Sequence, residues 1–319
     1  MLEEFFADDE GTLEEAAVGA WPAFSIGQIR RAIASGAVTL NGLAAPRTAR
    51  VVPGDFIAID LATADVPKIK EVKVPLGVLF EDQHLLAVDK PPGVSVVPER
   101  GSPDWRFMGM LLYHAANCRL WAREVRFRIV HRLDRDTSGA VLVAKSAEAG
   151  RALSGAFAGR EVKKRYIALV AAEAPAESGE ITVPIAPSRK RGRVMSVADS
   201  GRESLTGWRV LERFRGYTLL EVVPRTGRTH QIRVHLSYAG LPLAVDDMYG
   251  GARLLRLSDI KRGYKRSGEE RPLIGRLSLH CAALEFPHPV TRRTITVEAA
   301  LPEDFDRTLK ALRKWARRD

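Results

Sequence analysis

The 319-residue chain has only two cysteines, Cys118 and Cys281, which lie far apart and lack the CxxC spacing of metal and redox sites. We expect two buried thiols, no disulfide and no metal centre. No apolar run approaches the 18 residues that a membrane-spanning helix needs. The first fifteen residues hold seven acidic side chains and no basic one, unlike a signal or transit peptide, so we expect a cytoplasmic protein.

Two nucleotide-binding patterns are also missing, since neither GxxxxGK[ST] nor GxGxxG occurs in the sequence. Chemistry that depends on a nucleoside triphosphate or a dinucleotide therefore has no support. Basic charge is abundant: the net charge is +10, and because the first fifteen residues carry −7, the remaining chain carries +17. It is grouped in REVRFR (123–128), KKR (163–165), RKRGR (189–193), KRGYKR (261–266) and RKWARR (313–318). A solvated surface is one interpretation, but the interleaved Phe127, Tyr264 and Trp315 favour a surface that binds nucleic acid.

Residues 24–60 have the pattern of a small RNA-binding fold. An amphipathic helix comes first, with one apolar and one basic face, formed by Ile26, Ile29, Ile33 and Ala34 and by Arg30 and Arg31. The segment AVTLNG predicts a strand ending in the Asn41-Gly42 turn, and GDFIAID predicts a second strand. This order resembles the S4-type RNA-binding domain, although GTLEEAAVGAWPAF stands where that domain usually opens with arginines. A generic α/β cap on the larger domain is the alternative.

From residue 76 onward the pattern is mainly that of β-strands with a few helices. Strands are predicted at 77–80, 85–89, 139–145, 165–172 and 216–224, and later in RLSLHCAALEFP and RTITVEA. Helices are predicted in EAGRALSGAFAG and in GRTHQIRVHLSYAG, which Gly240 ends. The fold class is therefore α+β, with a large mixed or antiparallel sheet flanked by helices and a small N-terminal α/β domain. The expected divisions are an acidic extension (1–23), the S4-like domain (24–62), a linker (63–75) and the larger domain (76–319).

The stretch HRLDRDTSG (131–139) concentrates opposed charges in a few residues. Asp134 and Asp136 would share one face of an extended chain about 6.5–7 Å apart, a spacing that a glycosidase pair could use. Arg132 and Arg135 flank Asp134 and favour its ionised form, which suits a nucleophile better than a general acid. A charge network or an Asp-Thr-Ser turn without chemistry is the alternative. These residues alone leave all three interpretations open.

Further segments narrow the choice. The motifs HRLDRDTSGAVLVAK, KKRYIALV, RTGRTHQIRVHLSYAGLPL and RLSLHCAALEFPHP resemble, in order and spacing, successive motifs of the RluA family of RNA pseudouridine synthases. FEDQHLLAVDKPPGVSVVP (80–98) resembles the family's opening motif. The resemblance covers about residues 76–300 and implies a pseudouridine synthase catalytic domain. One departure is AVDDMYG, where Val245 replaces the family's usual glycine; it implies a differently shaped loop with no catalytic position changed.

The resemblance also implies roles for single residues. Asp134 would be the catalytic nucleophile, Tyr166 would stack on the target uracil, and Arg228 would pair with Asp134. Arg132 would fill the gap that the flipped base leaves. The other residues expected to contact RNA are His131, Arg135, Thr229 and His230. Asp136 is expected to cap the turn, and His230 with His235 is not expected to bind metal because no third ligand is evident.

The reaction that this resemblance implies moves the glycosidic bond of uridine from nitrogen 1 to carbon 5. It involves no net redox change, so we expect neither metal nor cofactor. The expected substrate is a structured RNA, with ribosomal RNA first because an S4-like module is typical of family members resembling the large-subunit enzymes, and transfer RNA second. A non-catalytic RNA-binding or ribosome assembly factor would be expected to lack Asp134, Tyr166 or Arg228. A hydrolase using Asp134 with Asp136 would release uracil. We expect a monomer.

Overall fold

The computed structural model describes residues 2–7, 10–21, 24–60, 71–97, 104, 106–118, 127–188, 194–265 and 268–317. The chain divides into two compact units, one of Met1–Pro75 with Ser95–Arg119 and one of Leu76–Val94 with Leu120–Asp319. Within the described ranges, no helix is long and apolar enough to cross a membrane. Cys281 is buried as expected, whereas Cys118 is partly exposed.

The first unit is built on a four-stranded antiparallel sheet in the order β1-β6-β3-β4, with β2 and β5 paired separately. Its elements are β1 (Leu2–Phe6), β2 (Gly11–Thr12), α1 (Leu13–Ala20), α2 (Ile26–Ala34), β3 (Val38–Leu40), β4 (Leu43–Ala44), β5 (Arg50–Val51), β6 (Phe56–Asp60) and α3 (Arg106–Asn117). The helix and both strands predicted within residues 24–60 are present as α2, β3 and β6.

Local sequence explains these elements of the first unit. Ser25 and Gln28 form a reciprocal capping box that starts α2, and Ile29 and Ile33 bury its apolar face. Asn41 and Gly42 both have positive φ, at 52° and 80°, which is the conformation that a two-residue turn between β3 and β4 requires.

The N-terminal residues differ from the predicted extension. β1 pairs with β6 along its whole length, and Leu13 and Ala17 of α1 are buried in the same core as Ile29. Residues 2–21, where described, therefore complete the small sheet and core. Ser95–Arg119, which the sequence divisions placed inside the larger domain, groups with this unit. Most of the predicted linker lies outside the described residues, because 61–70 are not among them.

The second unit contains a ten-stranded sheet in the order β12-β15-β16-β11-β17-β10-β8-β7, with β18 paired to β17 and β9 to β10. Its strands are β7 (Gly77–Glu81), β8 (Leu85–Lys90), β9 (Arg128–Ile129), β10 (Ser138–Ala144), β11 (Lys163–Val170), β12 (Ser178–Ile181), β15 (Thr206–Phe214), β16 (Tyr217–Pro224), β17 (Leu279–Pro287) and β18 (Thr294–Glu298). The hairpin β13 (Ile185–Pro187) and β14 (Met195–Val197) is separate, and the helices are α4 (Ala147–Ala158), α5 (Gln231–Tyr238), α6 (Leu257–Ile260) and α7 (Glu303–Trp315).

The large sheet is mixed because β10 runs parallel to β17, while the other pairs within the sheet are antiparallel. This confirms the expected α+β class with a large mixed sheet. At the parallel pair, Gly139 has φ +114° and a Cβ atom there would overlap the backbone of Cys281. Only glycine fits this close approach, which fixes where the HRLDRDTSG loop enters β10.

Candidate active site

The loop before β10, the start of β11 and the segment from the end of β16 into α5 together enclose one cavity of the second unit. Its volume is about 480 Å³, which is within the range that holds a small organic ligand. The lining comes from Val130–Asp134 and Thr137, from alternate residues between Phe157 and Tyr166, from Pro224–Arg233 and from Leu279. Asp134, Tyr166 and Arg228, the three residues with expected catalytic roles, therefore line one cavity.

Asp134 lies in a tight turn at the cavity wall. The backbone N–H of Thr137 donates to the Asp134 carbonyl at 3.1 Å, which closes the turn. The Asp134 side chain is 26% exposed, and its Oδ2 accepts a hydrogen bond from Nη1 of Arg233 at 3.0 Å. The other carboxylate oxygen has no hydrogen bond from any described residue.

Arg233 is held from behind by a second carboxylate. Its Nε and Nη2 donate to the two oxygens of Asp246 at 2.7 and 2.8 Å, and the Tyr249 ring centroid lies 4.9 Å from its guanidinium carbon. Arg233 is 7% exposed and Asp246 is 1% exposed. Burial alone would lower the pKa of Arg233, but Asp246 and Asp134 outweigh it and raise that pKa above its ordinary value. The guanidinium is therefore a fixed, permanent cation.

The prediction that Arg228 pairs with Asp134 is wrong. Arg228 Nε donates to the carbonyl of Glu203 at 3.3 Å, and its backbone N–H donates to Gln231 Oε1 at 3.0 Å. The reason is positional, because Arg228 lies in the loop before α5. Arg233 lies on the first turn of that helix and faces the loop of Asp134.

Sequence reasoning missed Arg233 and Asp246 for an identifiable reason. The motif RTGRTHQIRVH contains three arginines, and residue type alone does not tell which one approaches the carboxylate. The segment AVDDMYG held one signal for a partner of an arginine, because two consecutive aspartates, Asp246 and Asp247, directly follow apolar residues. Val245 is buried and its N–H donates to Ser278 Oγ at 3.2 Å, so the altered loop still delivers Asp246 to Arg233.

Tyr166 lies on β11, is 9% exposed as a residue and belongs to the cavity lining. Burial, the hydrogen bond with Cys281 and the charge of Asp134 raise its pKa well above 10. The hydroxyl therefore stays protonated at neutral pH, where it can donate a hydrogen bond but is not available as a base. Burial also raises the pKa of the neighbouring Cys281 thiol, to about 12, so this thiol is uncharged at neutral pH.

The residues expected to bind RNA separate into two groups. Arg132 is exposed, and its Nη2 donates to Thr229 Oγ1 at 3.0 Å, so both lie together at the cavity. His230 also lines the cavity, in a left-handed conformation with φ 55°, and its Nδ1 lies 2.8 Å from the Tyr249 hydroxyl. Arg135 is exposed outside the lining, with its Nε 3.4 Å from the Gly93 carbonyl.

The contacts of His131 are those of a residue that supports the fold and not those of a phosphate ligand. Its Nε2 accepts the N–H of Leu142 at 2.8 Å, and its ring stacks on Phe157 at a centroid distance of 4.5 Å. Burial, with the nearby Lys164 ammonium, lowers the pKa of His131 to about 3. The imidazole is therefore neutral and supports the loop from within. His235 likewise uses both ring nitrogens, contacting Thr206 Oγ1 and the Val183 carbonyl, which leaves none for a metal.

Lys90 supports the same loop and was not singled out in the sequence. Its Nζ is fully buried and donates to the carbonyls of Pro91, Val94 and Arg135 at 2.8–3.0 Å. Burial lowers the pKa of Lys90 to about 7, against the opposing charges of Asp136 and Asp134. Asp136 is therefore electrostatically coupled to Lys90 and does not line the cavity, so the structure does not arrange Asp134 and Asp136 as a glycosidase pair.

The basic clusters noted in the sequence have different surroundings in the structure. RKRGR (189–193) and most of REVRFR (123–128) lie outside the described residues. In KKR, Lys163 pairs with Glu285 at 2.6 Å and Arg165 with Glu298 at 2.7 Å, which leaves only Lys164 directed to the cavity.

Comparison with known proteins places the chain in a family. The family model described as RNA pseudouridylate synthase matches residues 84–238. The ribosomal large subunit pseudouridine synthase D of Xanthomonas campestris is 36% identical over 300 residues, which cover 92% of this chain and 86% of that protein. An uncharacterized RNA pseudouridine synthase of Bacillus subtilis, YlyB, is 33% identical over 287 residues, covering 90% and 89%. The human RNA Pseudouridylate Synthase Domain Containing 4 structure shares the fold, with a TM-score of 0.56 at 24% identity over 74% of this chain and 93% of that one.

The cavity with its arginine-bound aspartate and buried tyrosine, together with these matches, defines an RNA-modifying isomerase. The chain belongs to the RluA family of RNA pseudouridine synthases. The family resemblance read from the sequence is thereby confirmed, and the reading as a non-catalytic factor is not favoured.

Proposed function

We propose that this protein isomerises uridines of large-subunit ribosomal RNA to pseudouridine, with Asp134 as the nucleophile. The observation that carries the proposal is the single hydrogen bond from Arg233 to Asp134, made inside a cavity that Tyr166 also lines. The choice of ribosomal RNA is supported by relatives named for the large subunit, such as those of Xanthomonas campestris and Pseudomonas aeruginosa. No metal or cofactor is required, because the isomerisation is redox-neutral and consumes no water.

The reaction begins when the target nucleotide leaves its stack, at a cost of a few kcal/mol that is smallest in loops and bulges. Arg132, at the cavity edge, is suited to occupy the space that the base vacates. The uracil then lies against Tyr166, whose ring offers an apolar face. Asp134 is free to attack because Arg233 holds only one of its oxygens and leaves the other without a partner among the described residues.

The bond between ribose carbon 1 and uracil nitrogen 1 breaks, and a bond from carbon 1 to carbon 5 forms. Asp134 can assist by adding to ribose carbon 1, by adding to uracil carbon 6 or by removing a ribose proton to give a glycal. Nitrogen 1 gains one proton from solvent water, and carbon 5 loses one to the Asp134 carboxylate or to solvent water, so the isomerisation neither consumes nor releases a proton overall. Because Tyr166 is protonated, its hydroxyl enters as a donor rather than as a base.

We further propose that residues 24–62 bind RNA as an S4-like domain and that the protein acts as a cytoplasmic monomer. The helix–strand–turn–strand order of α2, β3 and β6 supports the first point. The arginines of this unit are partly neutralised, since Glu14 accepts hydrogen bonds from both Arg30 and Arg47 at 2.6–3.0 Å. Phosphate contacts would therefore depend on the exposed remainder of these guanidinium groups.

The proposed function is tested on an unmodified large-subunit ribosomal transcript. We expect the wild-type protein to produce new carbodiimide-dependent stops in primer extension, and Asp134→Asn to bind the transcript without producing them. An unchanged transcript would contradict the activity, and released uracil would indicate hydrolysis instead. Equal modification by Asp134→Asn would show that Asp134 is not the nucleophile.

A further inference from the structure

A second group of cations lies around Trp315, at the end of α7. Lys261 Nζ is 4.1 Å and Lys314 Nζ is 5.0 Å from the centroid of the Trp315 ring, within the distance of a cation–π contact. Arg317 follows two residues later and is exposed. We name Lys261, Lys314, Trp315 and Arg317 the tryptophan patch.

The backbone beneath the tryptophan patch is fixed. Arg215 Nη2 donates to the carbonyls of Ile260 and Trp315 at 3.0 and 3.1 Å, which ties the end of α6 to the end of α7. The N–H of Arg215 donates to the carbonyl of Ala316 at 2.8 Å. Because both lysine-bearing segments are joined and both ammonium groups lie over one indole, little conformational freedom remains to be lost when an anion binds.

Within the described part of the chain, the cations of the tryptophan patch have no acidic partner. Elsewhere on α7, Arg313 pairs with Glu212 at 2.8 Å and Lys310 with Asp306 at 2.6 Å. Among the described residues, no carboxylate forms an ion pair with Lys261, Lys314 or Arg317. Arg262 and Lys265, in the turn that follows Lys261, are exposed and equally unpaired within those ranges. The remaining charge is therefore available to an external anion.

The tryptophan patch lies on the opposite side of the large sheet from the cavity. Tyr166 and Ile167 are neighbours on β11, so their side chains point to opposite faces. Tyr166 lines the cavity, whereas Ile167 packs in the core that α7 closes with Leu309 and Leu312. A sheet and a helix layer, on the order of 20 Å together, thus separate the two basic regions.

We propose that the tryptophan patch binds the sugar-phosphate backbone of the substrate RNA at a point remote from the target uridine. This inference rests on the proposed function, since it takes the RNA that enters the cavity as the occupant. Unpaired ammonium groups suit phosphates as point charges, and a polyanion that already contacts the cavity is at high effective concentration near the rest of the molecule. Only an RNA large enough to pass around the edge of the sheet reaches both regions.

The test compares two double variants that each remove two positive charges. Lys261→Gln with Lys314→Gln removes the patch ammonium groups, and Arg209→Gln with Arg292→Gln removes two exposed guanidinium groups that pair with Glu221 and Glu161. Each is assayed on a full large-subunit transcript and on a short hairpin carrying the same uridine. Filter binding of the transcript is measured between 50 and 200 mM salt, and thermal melting checks folding.

We expect the patch variant to bind the transcript more weakly than the wild type. Because the variant lacks two phosphate contacts, the ratio of its Kd to the wild-type Kd should fall about tenfold between 50 and 200 mM salt. On the hairpin it should modify the uridine at the wild-type rate. Equal binding by wild type and patch variant, an equal loss on the hairpin, or an equal loss in the control variant would overturn the proposal. If the wild type modifies no uridine, the proposed function fails, and transcript binding by the two variants still decides the role of the patch.

Discussion

Arg233 contacts two carboxylates at once, and only one of them faces the cavity. Asp246 occupies Nε and Nη2, which leaves Nη1 for Asp134. Because Asp246 and Arg233 are both almost fully buried, the direction in which Nη1 donates to Asp134 is set by the pair behind it. Asp246 therefore positions Asp134, the proposed nucleophile, through Arg233, although Asp246 is not itself part of the cavity lining.

Asp246→Asn tests this positioning. An amide replaces one acceptor oxygen with a donor, which leaves a buried N–H of Arg233 without a partner and turns the guanidinium away from Asp134. We expect kcat to fall by about 100-fold with KM little changed, since displacement of about 1 Å can cost that much. Single-turnover kinetics on the ribosomal transcript measures the effect.

Asp247→Asn is the matched control for this variant. Asp247 is the next residue, is 64% exposed and lies 3.9 Å from Arg253, so its charge is screened by solvent. It should retain wild-type kinetics. Equal rate losses in both variants would mean that the loop, rather than the Asp246 carboxylate, is responsible.

Tyr166→Phe separates the ring from the hydroxyl. The ring remains to stack on the base, so we expect RNA binding to be retained while kcat falls by about 100-fold or more through loss of a hydrogen-bond donor to the reacting uracil. Since the pKa of Tyr166 is well above 10, the wild-type rate should show no loss from tyrosine ionisation up to pH 9. Tyr217→Phe, on β16 away from the cavity, should leave kcat unchanged. A Tyr166→Phe enzyme with full kcat would remove the hydroxyl from the mechanism.

At the scale of elements, the β10–β17 pair holds the turn of Asp134 against the sheet. Gly139→Ala would force a methyl group into the backbone of Cys281 at a positive φ, and we expect a loss of about 3 kcal/mol in the free energy of unfolding. Gly240→Ala, after α5, has φ +74° but open space around it, and should cost about 1 kcal/mol. Urea unfolding measures both, and equal losses would contradict the steric explanation.

His280 adds a pH dependence to the same strand pair. Its Nε2–H donates to the Ala299 carbonyl and its Nδ1 accepts from Ser138, so the folded form requires a neutral ring. Burial lowers the pKa of His280 from 6.5 to about 4, so between these values the unfolded chain binds more protons than the folded chain. Stability therefore rises with pH in this window and is lost as the pH falls, by about 1.4 kcal/mol per pH unit.

His280→Gln removes that titration. We expect the stability difference between wild type and variant to be largest above pH 6.5 and to shrink as the pH falls towards 4, while carboxylate contributions are common to both proteins. Urea unfolding at several pH values measures it. A difference that stays constant with pH would show that His280 is not held neutral.

Regular elements were predictable wherever the local pattern carried the cause. The apolar run at 85–89, the strand-like segment at 216–224 and the stop at Gly240 each predicted an element that the structure contains. Side-chain partners were harder to predict from the sequence. Arg228 and Arg233 lie five residues apart in one motif, and only packing against the 246–249 loop distinguishes them. Lys90 was missed for a similar reason, since a lysine before Pro-Pro-Gly gives no local sign that it will be buried beneath another loop.

At the scale of the whole molecule, the distribution of charge was the feature of composition that most favoured nucleic-acid binding. It did not reveal which charges pair with one another in the fold. The acidic N-terminal residues suggested a separate extension, yet β1 completes the small sheet, and Glu10 and Glu14 pair with Arg50, Arg30 and Arg47. In the described part of the second unit, Arg132 and Lys164 at the cavity and Lys261, Lys314 and Arg317 in the tryptophan patch form no ion pair with a carboxylate, and these are the cations that we expect to face RNA.

The most direct test of the central claim is pseudouridine mapping of cellular ribosomal and transfer RNA with and without this gene. We predict that deletion removes pseudouridine from one or more positions of the large-subunit RNA. The wild-type gene should restore these positions, and a gene carrying Asp134→Asn should not. An unchanged ribosomal map, or losses confined to transfer RNA, would contradict the account.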